Sequence, residues 1–380
     1  MKKYKQIILS LVQTILITGI TLFSVMPFSC KVTPEGVQIV GGDYASPVIE
    51  NIEVVDENSL QISFSEKVKV TGAVLSPFIE GISDSYSHSK TEELSTALKA
   101  ASGGYGKIPV TIEAQEDEKT IVFNFTSSTI IGNSYELYAV VEDQIGNTLT
   151  FSTRFTGYNS RVPQMIMTEL YFYNESNKEK SLLRTEYVEL LALSDGNLAN
   201  LCLYGASKGI EKGYNFPPIE VHKGEILLVH LRQKGEGCIS EEGEDLNLAA
   251  SGISPAGIRD LWTSDKDLCY TKSADALILE NKASSQILDG VCFANPEALE
   301  WKSNVLLAVE RLYNYGIIDS MDISDAVRKP KNDSAAKSLT RIDAEDIKNN
   351  IEENDYLEED YPLESPASNW EMAARSEGRI

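Results

Sequence analysis

Ser134-Tyr-Glu-Leu-Tyr-Ala-Val-Val141 alternates polar and apolar residues, Asp143-Gln-Ile-Gly-Asn147 interrupts it, and Thr148-Leu-Thr-Phe151 resumes it. A period of two puts every second side chain on one face, the pattern of a strand half buried in a core. Asp, Gly and Asn between two such runs are turn residues. The stretch therefore reads as two strands joined by a turn. Working upstream, Asn51-Ile-Glu-Val-Val55, Ser59-Leu-Gln-Ile-Ser-Phe64 and Lys119-Thr-Ile-Val-Phe-Asn-Phe125 repeat the alternation. Short strands at this spacing, separated by turn signals, predict a β-sandwich over residues 47–157.

Downstream, residues 158–163 read as a linker, and a second series of strands follows in 164–380. Its members are Met165-Ile-Met-Thr-Glu-Leu170, Glu186-Tyr-Val-Glu-Leu-Leu191, Asn200-Leu-Cys-Leu-Tyr204, Glu225-Ile-Leu-Leu-Val-His230, Ala276-Leu-Ile-Leu279 and Gln286-Ile-Leu-Asp-Gly-Val-Cys-Phe293. The fold class expected is all-β: two Ig-like antiparallel β-sandwiches in tandem. Helices are expected only as decorations. One falls between Tyr86 and Gly104, where Ser89-Lys-Thr-Glu92 can form a capping box. Another falls near Asn295 to Ser303, or at Asp322 to Arg328. The acid-rich stretch Asp343 to Pro366 reads as a mobile, self-repelling loop.

Lys2, Lys3 and Lys5 precede an apolar run from Ile7 to Phe28, and Cys30 follows Ser29. A basic start, an apolar centre and a small residue before the break have the layout of an export signal. The closing cysteine resembles the lipid-attachment site of bacterial lipoproteins, although Pro27 and Phe28 depart from the usual Leu and small residues. The resemblance implies residues 1–29 as signal or anchor helix, lipidation of Cys30, a flexible tether over 30–46, and a place in the bacterial cell envelope, facing the periplasm or the exterior.

Two further resemblances rest on quotable residues. Ile62-Ser-Phe-Ser-Glu-Lys-Val68, Gly132-Asn-Ser-Tyr135 and Val141-Glu-Asp-Gln-Ile-Gly-Asn-Thr-Leu149 resemble the bacterial Ig-like domains of cell-envelope proteins. In the second half, the lamin-tail domain is resembled by Ile166-Met-Thr-Glu169 with Glu186-Tyr-Val-Glu-Leu190, by Leu198 to Tyr204, and by Phe216-Pro-Pro-Ile219 before Gly224-Glu-Ile-Leu-Leu-Val229. Leu288-Asp-Gly-Val291, Ser338-Leu-Thr-Arg341 and Asn369-Trp370 continue the likeness, with Trp370 expected to be buried near Leu339. Arg375-Ser-Glu-Gly378 replaces that family's closing turn. The resemblance implies an Ig-like sandwich with a structural or binding role.

Chemistry is sparse. A formal charge of −23 repels phosphate backbones and disfavours nucleic acid bound through a basic face. No Gly-x-Ser-x-Gly, P-loop or His-Glu-x-x-His occurs. His222 and His230 lie at opposite ends of one strand, too far apart to share a metal. Asp319, Asp322, Asp325 and the acids from Asp343 to Asp360 offer oxygens for calcium, but without the EF-hand pattern they read as a solvated face and loop. No metal and no cofactor is expected. Glu169, Glu186 and Glu189 are expected to point outward from half-solvated strands. Cys202, Cys238, Cys269 and Cys292 permit two disulfides in an oxidising compartment, or serve as small buried residues. Tyr171, Tyr173, Tyr214 and Trp262 form a candidate binding rim for a protein or glycan partner. The reading is a non-enzymatic envelope lipoprotein. The alternatives are an accessory subunit of an exported hydrolase (a nuclease or phosphatase) and a surface adhesin.

Overall fold

The computed structural model describes residues 28–33, 36–41, 45–78, 107–175, 184–232, 237–249, 254–264, 269–354 and 363–380; the expected signal helix up to residue 27 and the helix within 86–104 lie outside them. The chain divides into two compact units, residues 1–128 with 134–155, and residues 129–133 with 156–380. No helix among the described residues is long and apolar enough to cross a membrane.

In the first unit β1 (Phe28–Thr33) and β2 (Gly36–Gly41) pair as an antiparallel hairpin, where the sequence suggests a tether without regular structure. Among the described residues, seven strands then make two sheets. β3 (Ile49–Asp56), β4 (Ser59–Phe64), β7 (Thr120–Phe125) and β6 (Val110–Ala114) form one, in the order β3-β4-β7-β6. β5 (Val68–Pro77), β8 (Ser134–Asp143) and β9 (Thr148–Thr156) form the other. The period of two is visible in the burial: in β8 every second residue from Tyr135 to Asp143 is buried. Leu60, Ile62, Phe64, Phe123, Leu137 and Val141 meet in one core. The Asp143 carboxylate closes the β8–β9 turn by accepting hydrogen bonds from the N–H groups of Ile145, Gly146 and Asn147, at 2.7–2.8 Å. Gly146 supplies the positive φ of 99° that this turn needs.

The second unit holds β10 (Met165–Tyr171), β11 (Tyr187–Ala192), β12 (Gly196–Asn197), β13 (Leu201–Gly205), β14 (Tyr214–Asn215), β15 (Glu220–Val221), β16 (Ile226–His230), β17 (Arg259–Trp262), β18 (Ala274–Asn281), β19 (Gln286–Ala294), β20 (Val327–Arg328), β21 (Lys337–Arg341) and β22 (Trp370–Ala374). The larger sheet runs β17-β16-β11-β10-β21-β22, the next β14-β13-β18-β19-β20, and β12 pairs with β15 as a two-stranded sheet. Most pairs are antiparallel; β16 with β17 and β19 with β20 are parallel. Between the sheets lies a core that includes Met167, Leu190, Leu203, Leu227, Leu277, Phe293, Leu339 and Trp370. Trp370 is buried as expected, and its indole N–H donates to Ser365 Oγ at 2.9 Å.

Both sheets are also covered on their outer faces, which departs from a simple sandwich. The helix expected near Asn295 to Ser303 or Asp322 to Arg328 instead spans Ser303–Asn314 (α1). Asn295 accepts from the N–H groups of Glu297 and Ala298, which makes its segment a turn. Helical spacing starts later, at Val305, Ala308, Val309 and Leu312, and these pack on Cys202, Ile278, Ile287 and Cys292. Gly290 leaves room for Leu312: a Cβ on it would lie 2.3 Å from Leu312 Cδ2, and that side chain would have to move aside. The acidic stretch is not wholly a loop either. Ala344–Glu353 forms α2, and its Ile347 and Ile351 cover Ile166, Leu191 and Ile226 on the six-stranded sheet. Two isoleucines four apart suffice for an apolar helical stripe among acids.

The stretch read as a linker is ordered. Asn159 is buried and donates to the carbonyls of Asn197 and Ala199, and Arg161 makes a two-pronged ion pair with Glu220 at 2.7–2.9 Å.

Candidate functional site

Trp262, His230, Tyr187 and Tyr171 stand in register on four neighbouring strands, β17, β16, β11 and β10. Their rings follow one another across the sheet: Trp262 stacks on His230 at 3.9 Å, His230 meets Tyr187 at 6.1 Å, and Tyr187 stacks on Tyr171 at 5.1 Å. Such same-face pairs are the unit of sheet stabilisation. Tyr171 is fully buried and its hydroxyl donates to the Ala335 carbonyl. Tyr171 is therefore no part of a rim, and Tyr173, half-buried, packs at its edge. Trp262 is also largely buried, so its face is not offered for stacking.

The carboxylates correct a second expectation. Glu169, Glu186 and Glu189 are buried, not solvated. Glu169 accepts from Tyr187 Oη at 2.8 Å, from the Ser376 and Glu377 N–H groups at 2.9 and 3.1 Å, and from the Ser376 and Ser338 hydroxyls. Glu189, its cross-strand partner, accepts from Thr168 Oγ1 and the Gly378 N–H. Burial, then repulsion from Glu169, raises the Glu189 carboxyl to about 7. Glu186 is paired with Lys272 at 2.7 Å and Arg232 at 3.1 Å. Across the core, Arg341, wholly buried, bridges Asp289 and Asp343 and donates to the Glu364 carbonyl. Burial lifts Asp289 to about 6 despite Arg341. Nearly every lone pair in this set is taken by a backbone N–H, a hydroxyl or a cation of the same unit. That arrangement braces strands and the segment Ser376–Gly378; it does not present an acid and a base to a substrate.

None of the four C-terminal cysteines is in a disulfide. Cys269 faces the core between the sheets, while Cys202 and Cys292 face the layer beneath α1. Cys202 stands opposite Glu280 and Cys292 opposite Ala276, four residues apart along β18. That is about 13 Å of strand, twice the Cα separation a disulfide spans. Burial raises all three thiols, Cys202 to about 11 and Cys269 to about 12, which leaves them unreactive.

Two of the four aromatic residues of the expected rim do come together. β14 and β17 are the edge strands of the two sheets on one side of the unit. A cleft of about 420 Å³ is lined by Tyr214 and Asn215 of β14, Trp262 of β17, Leu231 after β16, and Cys269. Leu231, Trp262 and Cys269 are buried and make an apolar floor. Glu211, Lys212, Asn215, Glu242 and Ser264 are exposed and make a polar mouth. The open edge of β17 is occupied by Ser240 and Glu241. Ser240 Oγ accepts the Trp262 N–H at 2.9 Å, Glu241 Oε2 accepts the Asp260 N–H, and the Glu241 N–H donates to the Asp260 carbonyl. An edge so covered does not accept a further strand, so side chains define the cleft. Trp262 Nε1 has no hydrogen-bond partner, and neither does His230 Nδ1, whose Nε2 is paired with Asp260. Nothing in the sequence could identify this cleft, because its walls come from five segments spread over residues 211–269. Among the described residues no group of His, Cys, Asp and Glu is placed to hold a metal ion.

A family model described as "protein second domain" (TP_1001_2nd) matches residues 163–372. No curated protein matches the sequence. Among solved structures, the N-terminal part of the bacterial S-layer protein SbsC is similar at 11% identity and a TM-score of 0.23, over 65% of this chain and 43% of that one. A DUF4876 family protein from Bacteroides thetaiotaomicron is similar at 10% identity and a TM-score of 0.26, over 62% of this chain and 81% of that one. The chain thus spans less than half the length of the S-layer structure it matches. The family match covers more than half of the chain and contains both edge strands of the cleft, so the chain belongs to the family described as protein second domain.

Proposed function

We propose that the protein is a non-enzymatic module of the bacterial cell envelope, held at a membrane through lipidated Cys30, with the second unit as its binding head. The second unit is read as lamin-tail-like and the first as a bacterial Ig-like spacer. The cleft between β14 and β17 carries the binding reading: it is a concave site with an apolar floor and a few polar groups at its mouth, the usual make-up of a ligand pocket. The bracing role of Glu169, Glu186, Glu189 and Asp289 supports binding over catalysis. Lys2, Lys3, Lys5, the apolar run and Cys30 support export and anchoring. Metabolic labelling with a fatty-acid probe tests the anchor. Wild type takes up label and sediments with membranes; Cys30→Ser does neither. Wild type that stays membrane-bound without label overturns lipidation.

A further inference from the structure

We propose that the outward face of α1 is a docking surface for a second copy of this chain, the two helices lying antiparallel about a two-fold axis at Leu306, independently of the cleft and of Cys30. The inner face of α1 is fixed by Val305, Ala308, Val309 and Leu312, which pack on the sheet. Its outward face is not the polar surface that such a helix normally shows to water. Leu306, Leu307 and Tyr313 are exposed along it, Leu307 by 64%. Leu299, 85% exposed, stands before the helix, and Tyr315 follows it. Met321, also exposed, lies beside its start, where the Met321 carbonyl accepts the Trp301 indole N–H. A single exposed leucine is ordinary; six large apolar side chains on and around one helix mark a contact surface.

The order of side chains along that face says what fits it. Lys302 lies four residues before Leu306 and Glu310 four after; Tyr313 lies seven after, and Leu299 seven before, in the approach to the helix. Steps of four and seven return to the same side of a helix. Turning a second copy end to end about Leu306 therefore sets Leu306 on Leu306, Tyr313 beside Leu299, and Lys302 beside Glu310, each of the last two contacts made twice. Lys302 and Glu310 are both exposed, and neither has an ion-pair partner among the described residues. A parallel pair would instead oppose Lys302 to Lys302 and Glu310 to Glu310. A bilayer surface fits less well: a helix lying on lipid is rich in Lys and Arg on its polar face, whereas here Glu300 and Glu310 flank Lys302 in a chain of charge −23. A patch that matches itself in this way closes at two copies.

Sedimentation of the purified full chain at rising concentration provides the test. Wild type passes from one copy to two, and Leu306→Asp, which sets two carboxylates on the axis, stays at one. Lys302→Glu and Glu310→Lys each weaken pairing on the order of tenfold, because two exposed ion pairs become like-charge contacts. Mixed together, those two single variants pair again, and so does the double variant with itself. Every changed side chain is exposed, so the fold is kept. Mild oxidation reads the direction of the helices. Leu306→Cys gives a disulfide-linked dimer that wild type does not, and Asn314→Cys gives none, because antiparallel helices hold the two copies of that residue about 24 Å apart along the helix axis. A wild type that stays single at every concentration, a dimer indifferent to Leu306→Asp, single variants that do not recover on mixing, or cross-linking through Asn314→Cys overturns the proposal. A single-copy chain that binds phosphatidylcholine vesicles, and loses them in Leu306→Asp, overturns it in favour of a lipid surface.

Discussion

At the scale of single residues, Glu189 makes the most specific demand. Its carboxyl is raised to about 7 in the fold, against an ordinary value of 4.5, first by burial and then by Glu169. Between these two values the folded chain holds a proton that the unfolded chain has released. Stability is therefore fully present below pH 4.5 and falls as pH rises through 7, by an amount on the order of 3 kcal/mol if this group acted alone. Asp289, raised to about 6, acts in the same direction. The second unit should melt at a higher temperature at pH 5 than at pH 8, and Glu189→Gln should shrink that difference. A wild-type melting temperature that rises between pH 5 and pH 8 contradicts the assignment. This residue also shows where sequence reasoning failed. Glu189 and Glu169 alternate with apolar neighbours, so each reads as solvated. Both are buried because Ser376–Gly378 passes over them and donates N–H groups. Contacts between residues about 190–210 positions apart leave no local trace.

At the scale of elements, legibility followed burial. β4, β7 and β8 have one face in a core, and their alternation is plain in the chain. β10 and β11 are buried on both faces, so they read as strands but not as to which side faces what. α2 escaped because only Ile347 and Ile351 mark its inner face among acids. That element carries a prediction. Ile351 is buried against the outer layer of the six-stranded sheet, and Ile351→Ala should cost about 2–4 kcal/mol. Urea denaturation followed by tryptophan fluorescence measures it. A cost below about 0.5 kcal/mol, the range of ordinary surface positions, would mean that the helix is not docked. Gly378 belongs to the same layer. Its φ is 75°, and a Cβ there would lie 2.7 Å from Ile258 Cγ1. Gly378→Ala should therefore lift the closing segment off Glu189 and appear as faster amide exchange at Ser376 and Glu377.

At the scale of the whole molecule, the two units have separate cores among the described residues: one is built from residues 49–155 and the others from residues beyond 160. All three tryptophans, Trp262, Trp301 and Trp370, belong to the second unit. Tryptophan fluorescence thus reports that unit alone, while far-ultraviolet circular dichroism reports the strands of both. Leu137 is fully buried in the first core, and Leu137→Ala should cost about 2–5 kcal/mol there. If the units unfold independently, this substitution lowers part of the dichroism transition and leaves the fluorescence transition in place. Trp370→Ala, which removes a buried ring and its bond to Ser365, should do the reverse at a cost of about 3–5 kcal/mol, with Trp262 and Trp301 as the remaining reporters. Fluorescence and dichroism midpoints that move together in both variants would show a single cooperative molecule.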